Sequence, residues 1–221
     1  MKRFLLAAGM MLALTGAAFA QETTETAPQQ ATEAAPLPET PPAEAAPQWT
    51  GPEVTLHTTM GDIVITLDTV GAPKTAAQFL GLVKSKHYDG AAFYRIEPGF
   101  LIQLGDLDAK LKYRKPKLGN IPLETETNKH TLGAVGMAHA EDPNSGQSTF
   151  YIDLAENTGL GATPGAPPNT TGFAAFGHVT AGMDIAVAIS GVELAPEGGP
   201  FPGKLPKAPV VVTKAVITKA E

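Results

Sequence analysis

One arginine stands out as a group that could do chemistry in this 221-residue chain. Arg95 lies among the large apolar side chains of residues 93–104, and strand alternation predicts that Phe93 and Arg95 share one face. Its aliphatic stem can lie along an apolar surface, but its guanidinium group needs hydrogen-bond acceptors. An arginine in such a setting is more often a salt-bridged structural residue than a catalytic one. Residue type alone leaves both roles open.

The elements around Arg95 form a predicted hairpin. Pro98-Gly99 marks a turn between two short strands. Residues 93–106 follow the pattern F-x-R-I-x-P-G-F-x-x-Q-x-G-D, which is long and specific. This pattern resembles the cyclophilin family of peptidyl-prolyl cis-trans isomerases. The resemblance implies that Arg95 is the central catalytic residue, with Phe100 and Gln103 as its catalytic neighbours.

The resemblance covers about residues 53–220 and implies the fold. It includes A-P-K-T-A-x-x-F at residues 72–79, M-A-x-A at 137–140 and A-F-G at 175–177. The implied fold is mainly β, a closed eight-stranded antiparallel barrel capped by two α-helices. The residues independently predict a helix that begins at Pro73, with an apolar stripe of Ala76, Phe79, Leu80 and Val83. A second helix is predicted to begin at Gly182-Met183 and to end near Ser190.

The resemblance also implies a groove that binds Pro-containing peptides. Its implied lining comprises Leu101, Met137, Ala138, His139, Thr149, Tyr151 and Phe173. Four positions depart from the family pattern: Leu104 replaces a usual Gly, Thr149 replaces Gln, Tyr151 replaces Phe, and Phe173 stands where many members carry His, Trp or Tyr. These departures leave the strength of turnover open.

The composition of the chain argues against several classes of binding partner and site. The formal net charge of −6 argues against nucleic acid or an anionic membrane surface as the main partner. With no cysteine, disulfides and zinc–thiolate sites are excluded. The five histidines show no metal-binding spacing, and the resemblance requires neither metal nor cofactor.

The first residues predict export. Lys2 and Arg3 precede an apolar run, and Ala18-Phe19-Ala20 is a small-residue cleavage site. This order is typical of a secretory signal peptide at residues 1–20, cleaved after Ala20 and leaving no membrane insertion. The periplasm is the predicted location, with secretion as the second choice. Residues 21–51 are rich in Pro, Ala and Glu, which predicts a disordered linker before a domain at residues 52–221.

Together these features predict a monomeric peptidyl-prolyl cis-trans isomerase that assists the folding of unfolded exported proteins. One alternative is a module that binds Pro-containing segments as a chaperone with weak or no turnover, which the departures at Leu104, Thr149 and Phe173 motivate. Another is a tail-tethered structural protein of the envelope, which rests on the 21–51 linker alone.

Overall fold

The computed structural model describes residues 50–125 and 129–220. The predicted signal peptide and the predicted linker up to residue 49 lie outside the described residues, so these assignments stay predictions. Within the described ranges, neither α-helix is long and apolar enough to span a membrane.

The described residues form ten strands and two α-helices. The strands are β1 (Glu53–Thr58), β2 (Gly61–Leu67), β3 (Ala91–Glu97), β4 (Leu101–Asp108), β5 (Ala134–Met137), β6 (Phe150–Asp153), β7 (Ala174–Ala181), β8 (Leu194–Ala195), β9 (Leu205–Pro206) and β10 (Val212–Lys219). The helices are α1 (Pro73–Lys84) and α2 (Met183–Ser190). Eight strands form one antiparallel sheet in the order β10-β1-β2-β7-β5-β6-β4-β3, whereas β8 and β9 form a separate hairpin.

The two edge strands of this sheet meet at one point. Ala92 of β3 and Val211, which precedes β10, form an isolated bridge. The Phe93 N–H donates to the Val210 carbonyl at 2.9 Å, and the Gly90 N–H donates to the Val212 carbonyl at 2.7 Å. The predicted mainly β architecture of eight antiparallel strands with two helices is confirmed. The predicted closure is not confirmed, because the edges share a single bridge and not a continuous ladder.

Helix α1 begins at Pro73, as predicted, and packs its apolar face against the sheet. Ala76, Phe79 and Val83 are buried, whereas Leu80 is only partly buried. The Phe79 ring lies 5.1–5.2 Å from three other buried rings, those of Tyr88, Phe150 and Phe176. This cluster anchors α1 on β6 and β7, two strands that carry or flank the candidate site.

Strand β3 contains a β-bulge, which changes the residues that share a face. Phe93 pairs with Leu104 and Arg95 pairs with Gln103, so two residues of β3 advance for one of β4 and Tyr94 is the extra residue. Phe93 therefore belongs to the core, whereas the Arg95 side chain is partly exposed. The prediction that Phe93 and Arg95 share a face was wrong, since alternation assumes a strand without a bulge.

The segment between α2 and β10 is rich in Gly and Pro. Residues 193–209, here called the 193–209 loop, contain the short β8–β9 hairpin. The Ile96 N–H of β3 donates to the Lys204 carbonyl of this loop at 2.8 Å. The loop is thereby held along the free edge of β3, beside Arg95.

Candidate active site

Strand register brings the central residues of the predicted site into one row. Arg95 of β3 pairs with Gln103 of β4, and Gln103 pairs with Tyr151 of β6. Tyr151 pairs in turn with Gly136 of β5. Neighbouring strands lie about 4.8 Å apart, so the side chains of Arg95, Gln103 and Tyr151 lie next to one another on one face, with Gly136 beside them.

Arg95 is held by two side-chain acceptors. Its Nε donates to Glu97 Oε1 at 2.7 Å, and its Nη1 donates to Gln103 Oε1 at 3.1 Å. The guanidinium carbon lies 4.7 Å from the centroid of the Phe201 ring and 6.0 Å from that of Phe100. A guanidinium group has five N–H donors, so these bonds leave donors for a substrate.

Gln103 links Arg95 to a buried tyrosine. Its Nε2 donates to Tyr94 Oη at 3.1 Å. Burial, followed by the nearby Asp106 carboxylate, raises the pKa of Tyr94, although hydrogen bonds with Gln103 and Thr149 oppose this effect. Tyr94 therefore stays a neutral phenol, and its hydroxyl fixes the orientation of the Gln103 amide.

A cavity of about 410 Å³ opens beside this network. Four predicted site residues line it: Gln103, Ala138, His139 and Thr149. Its other lining residues are Tyr94, Asp106, Leu107, Tyr113, Ala140, Ser145, Gln147, Ser148, Pro200 and Phe201. The cavity is wide enough for amino-acid side chains of a peptide that crosses Arg95.

An aromatic cluster lies at the other end of the row. The His139 and Phe173 rings stack with centroids 4.5 Å apart, and Phe173 meets Tyr151 edge to face at 6.0 Å. Tyr151 lies over Gly136, where any Cβ would fall 2.3 Å from the tyrosine ring. Gly136 therefore makes room for the ring. Burial raises the pKa of the Tyr151 phenol, and its buried hydroxyl has no hydrogen-bond partner among the described residues.

Two further predicted site residues, Phe100 and Leu101, lie where β4 begins. Phe100 precedes β4 and is half-buried, whereas Leu101 is 2 % exposed and pairs with Asp153. The structure thus brings Arg95, Gln103 and Phe100 together, and it places Tyr151 and Phe173 in one cluster.

Met137 is the exception among the predicted binding residues. Its side chain is 3 % exposed and belongs to the hydrophobic core. The structure does not bring it to the cavity, because its position on β5 points inward while Gly136 lies on the site face. Leu104, a departure from the family pattern, is fully buried in the same core and adds apolar packing there.

Sequence reasoning missed four residues that touch the site. Glu97 lies two positions after Arg95 in one strand, so alternation would have placed it beside Arg95. Tyr94 depends on the bulge, which no sequence signal marked. Phe201 and Lys204 come from the 193–209 loop, and nothing local to that loop indicates that it folds against β3.

His130 is a further missed residue, buried beneath the aromatic cluster. Its Nδ1 lies 2.9 Å from Asp153 Oδ2, and its Nε2 lies 3.0 Å from the Phe173 carbonyl oxygen. The ring stacks on Tyr151 at 5.8 Å. Both His130 and Asp153 are fully buried. His130 therefore ties the backbone of Phe173 to β6 and supports the cluster from below.

Residues 50–125 and 129–220 contain no group of three or more His, Asp or Glu side chains arranged to hold a metal ion. The donors that converge on the site are a guanidinium, an amide and hydroxyls. Such a set can bind and polarise an amide group.

Comparison with known proteins agrees with this geometry. The model of the family described as cyclophilin type peptidyl-prolyl cis-trans isomerase/CLD matches residues 53–217. The chain belongs to the cyclophilin family. Peptidyl-prolyl cis-trans isomerase cyp18 of Streptomyces antibioticus is 37% identical over 165 residues, which are 74% of this chain and 97% of that protein. Peptidyl-prolyl cis-trans isomerase B of Escherichia coli is 31% identical over 75% of this chain and 99% of that protein.

Solved cyclophilin structures share the fold. A cyclophilin from Hirschia baltica has a TM-score of 0.59 at 23% identity, covering 75% of this chain and 73% of the other. A cyclophilin-type isomerase of Cryptosporidium parvum, determined in the presence of the dipeptide Ala-Pro, has a TM-score of 0.59 at 21% identity and covers 76% and 99% of the two chains. The predicted family and the predicted class of enzyme, a peptidyl-prolyl cis-trans isomerase, are confirmed.

Because His130 and Asp153 form a buried pair, we expect loss of the Asp153 carboxylate to lower the stability of the fold strongly. Asp153→Asn removes a buried charge and weakens the bond to His130, so we expect the free energy of unfolding to fall by about 2–4 kcal/mol. Urea unfolding at neutral pH measures this change.

The exposed pair of His57 and Asp62, 2.8 Å apart, is the matched control. Asp62→Asn is expected to change the free energy of unfolding by less than about 1 kcal/mol, since exposed ion pairs contribute little. Equal effects of the two substitutions would contradict the structural role of Asp153.

Proposed function

We propose that this cyclophilin isomerises X–Pro bonds in unfolded exported proteins, with Arg95 as the catalytic group. The observation that carries the proposal is the hydrogen bond from Arg95 to Gln103, because Gln103 lines the cavity and is paired with Tyr151 of the aromatic cluster. The substrates are Pro-containing peptide segments, and the chain acts as a monomer.

Isomerisation of an X–Pro bond makes and breaks no covalent bond. Rotation about an X–Pro amide crosses a barrier of about 18–20 kcal/mol and takes tens to hundreds of seconds unaided. The enzyme needs only to bind the twisted amide more tightly than either planar form. Twisting ends the amide resonance and leaves a lone pair on the prolyl nitrogen, which a fixed cation with N–H donors can stabilise.

Arg95 suits this role because it is always charged and carries several donors in one plane. One or two charge-assisted hydrogen bonds stabilise the twisted amide by about 1.5–3 kcal/mol each. Since about 1.4 kcal/mol corresponds to tenfold in rate, the bonds account for roughly 10–10⁴-fold acceleration.

The proline ring needs an apolar surface next to Arg95. Phe100, Leu101, Tyr151 and Phe173 supply it in the proposed site, and the His139 ring backs Phe173. Ala138 and Thr149 border the neighbouring cavity, where the residues before proline would lie. The Ala138 N–H already donates to the Thr149 carbonyl at 2.9 Å, so this pair forms a fixed rim.

Substitution of Arg95 tests the proposal. Arg95→Ala is expected to lower kcat/KM for a short Ala-Pro-Phe peptide by about 10²–10³-fold, because the donors to the twisted amide are lost. Arg95→Lys keeps the charge without the planar donors and is expected to recover only part of the rate. Cis–trans exchange measured by NMR gives both values.

Lys214→Ala, an exposed substitution on β10, is the control and should leave the rate unchanged. Full activity of Arg95→Ala would contradict the proposed role of Arg95. Peptide binding without accelerated exchange by the unaltered chain would instead favour the Pro-segment binding module.

Export to the periplasm is part of the proposal and is supported by the signal-like residues 1–20. Expression in a Gram-negative host is expected to yield a periplasmic protein whose amino terminus is Gln21. Ala18→Arg should block processing, because the cleavage site requires small residues. Amino-terminal sequencing of the protein from the periplasmic and cytoplasmic fractions measures the outcome. An unprocessed chain in the cytoplasm would argue against export.

We also infer that the sheet closes into a barrel in solution. The bridge between Ala92 and Val211 and the bonds from Gly90 and Phe93 support this closure. The amides of Gly90 and Phe93 should then exchange with deuterium as slowly as those inside the β1–β2 ladder. Exchange at the rate of exposed loops would indicate an open edge.

A further inference from the structure

We propose that Glu97 is a positioning residue for Arg95, and that the 193–209 loop completes this positioning through Phe201 and Lys204. The inference rests on the proposed catalytic role of Arg95. It goes beyond that role because it assigns function to a strand residue and to a loop that the family pattern of residues 93–106 does not explain.

Glu97 holds one edge of the guanidinium group. Its Oε1 accepts from Arg95 Nε at 2.7 Å and lies 2.6 Å from Nη2. Gln103 accepts from Nη1 at 3.1 Å. All three guanidinium nitrogens thus have fixed neighbours, so the plane of the group has little freedom to rotate. Both the Arg95 and Glu97 side chains are less than one-quarter exposed, which limits competition from water.

Phe201 holds the face of the same group. The guanidinium carbon lies 4.7 Å from its ring centroid, within the range of a cation–π contact. The Phe201 ring is itself stacked on Tyr94, with centroids 6.4 Å apart and planes 8° apart. Tyr94 receives a hydrogen bond from Gln103, so the contacts to the edge and to the face of Arg95 belong to one connected network.

Lys204 balances the charge of Glu97. Its Nζ lies 3.0 Å from Glu97 Oε2, so one carboxylate contacts two cations. The three groups together keep one net positive charge. A carboxylate that paired with Arg95 alone would cancel the charge that the twisted amide needs, whereas the added lysine restores it.

Glu97 stays ionised at neutral pH. Partial burial raises the pKa of its carboxyl, but hydrogen bonds from Lys204 and Arg95 outweigh this effect and hold the pKa below its usual value. The carboxylate that contacts Arg95 is therefore charged at neutral pH.

The backbone keeps the loop in place. The Ile96 N–H, between Arg95 and Glu97 in the chain, donates to the Lys204 carbonyl at 2.8 Å. The β8–β9 hairpin joins the two ends of the loop. Lys204 and Phe201 are thus held in register with β3. Phe201 also lines the 410 Å³ cavity.

Three substitutions separate positioning from other roles. Glu97→Gln keeps the size of the side chain but removes its charge, and we expect kcat to fall about 10-fold with KM changed less than about 2-fold. Phe201→Leu and Lys204→Met are each expected to lower kcat about 3-fold, as contacts of about 0.7 kcal/mol would. The substrate is the same Ala-Pro-Phe peptide, and the full chain is used.

Lys207→Met is the matched control, since Lys207 pairs with Glu193 in the same loop and does not contact Arg95. It should keep the activity of the unaltered chain. The Arg95 Nε–H signal in ¹⁵N NMR supplies a readout that global stability does not move. Its exchange with water should quicken in Glu97→Gln and stay slow in Lys207→Met.

The outcomes are distinct. An unchanged kcat in Glu97→Gln, or the same loss in Lys207→Met as in Lys204→Met, would overturn the inference. A higher kcat in Glu97→Gln or Phe201→Leu would show that the loop restrains the enzyme instead of aiding it. Full activity of Arg95→Ala would contradict the proposed function itself. If Glu97→Gln fails to fold, Lys204→Met and Phe201→Leu decide the question.

Discussion

The orientation of one guanidinium group is the constraint on which the site depends. Arg95 can stabilise a twisted amide only if its donors point at a fixed place before the substrate binds. Gln103 and Glu97 provide this order through hydrogen bonds of 3.1 and 2.7 Å. Strand pairing also fixes the position of Arg95. The residues of the row are consecutive partners across four strands: Arg95, Gln103, Tyr151 and Gly136.

The core and the site use opposite faces of the same strands. Ile96, Ile102 and Leu104 are fully buried in the core, whereas Gln103 lines the cavity. The Tyr94 bulge allows β3 to serve both faces, since it returns Phe93 to the core and turns Arg95 outward. The extra residue also gives Gln103 a buried hydroxyl as its partner. The local irregularity is therefore part of the way in which the site is assembled.

The 193–209 loop supplies contacts to the candidate site from a distant part of the chain. It places an aromatic ring next to Arg95 and a lysine next to Glu97, and its main chain bonds to β3. The salt bridge of Arg95 and its proposed catalytic role are compatible, because Lys204 offsets the charge of Glu97.

The sequence by itself determined the family, the class of reaction, the hairpin at Pro98-Gly99 and the start of α1 at Pro73, because these depend on residues close together in the chain. It also indicated Gln103 and Phe173 as site residues through motif positions. Only the tertiary structure decided that Met137 faces the core, that Tyr94 forms a bulge, that Phe201 reaches Arg95 and that Lys204 reaches Glu97. Lys204 and Glu97 are 107 positions apart, and their contact arises from packing of a loop on a sheet edge. Local patterns carry no signal for such a contact, since its energy depends on the assembled fold.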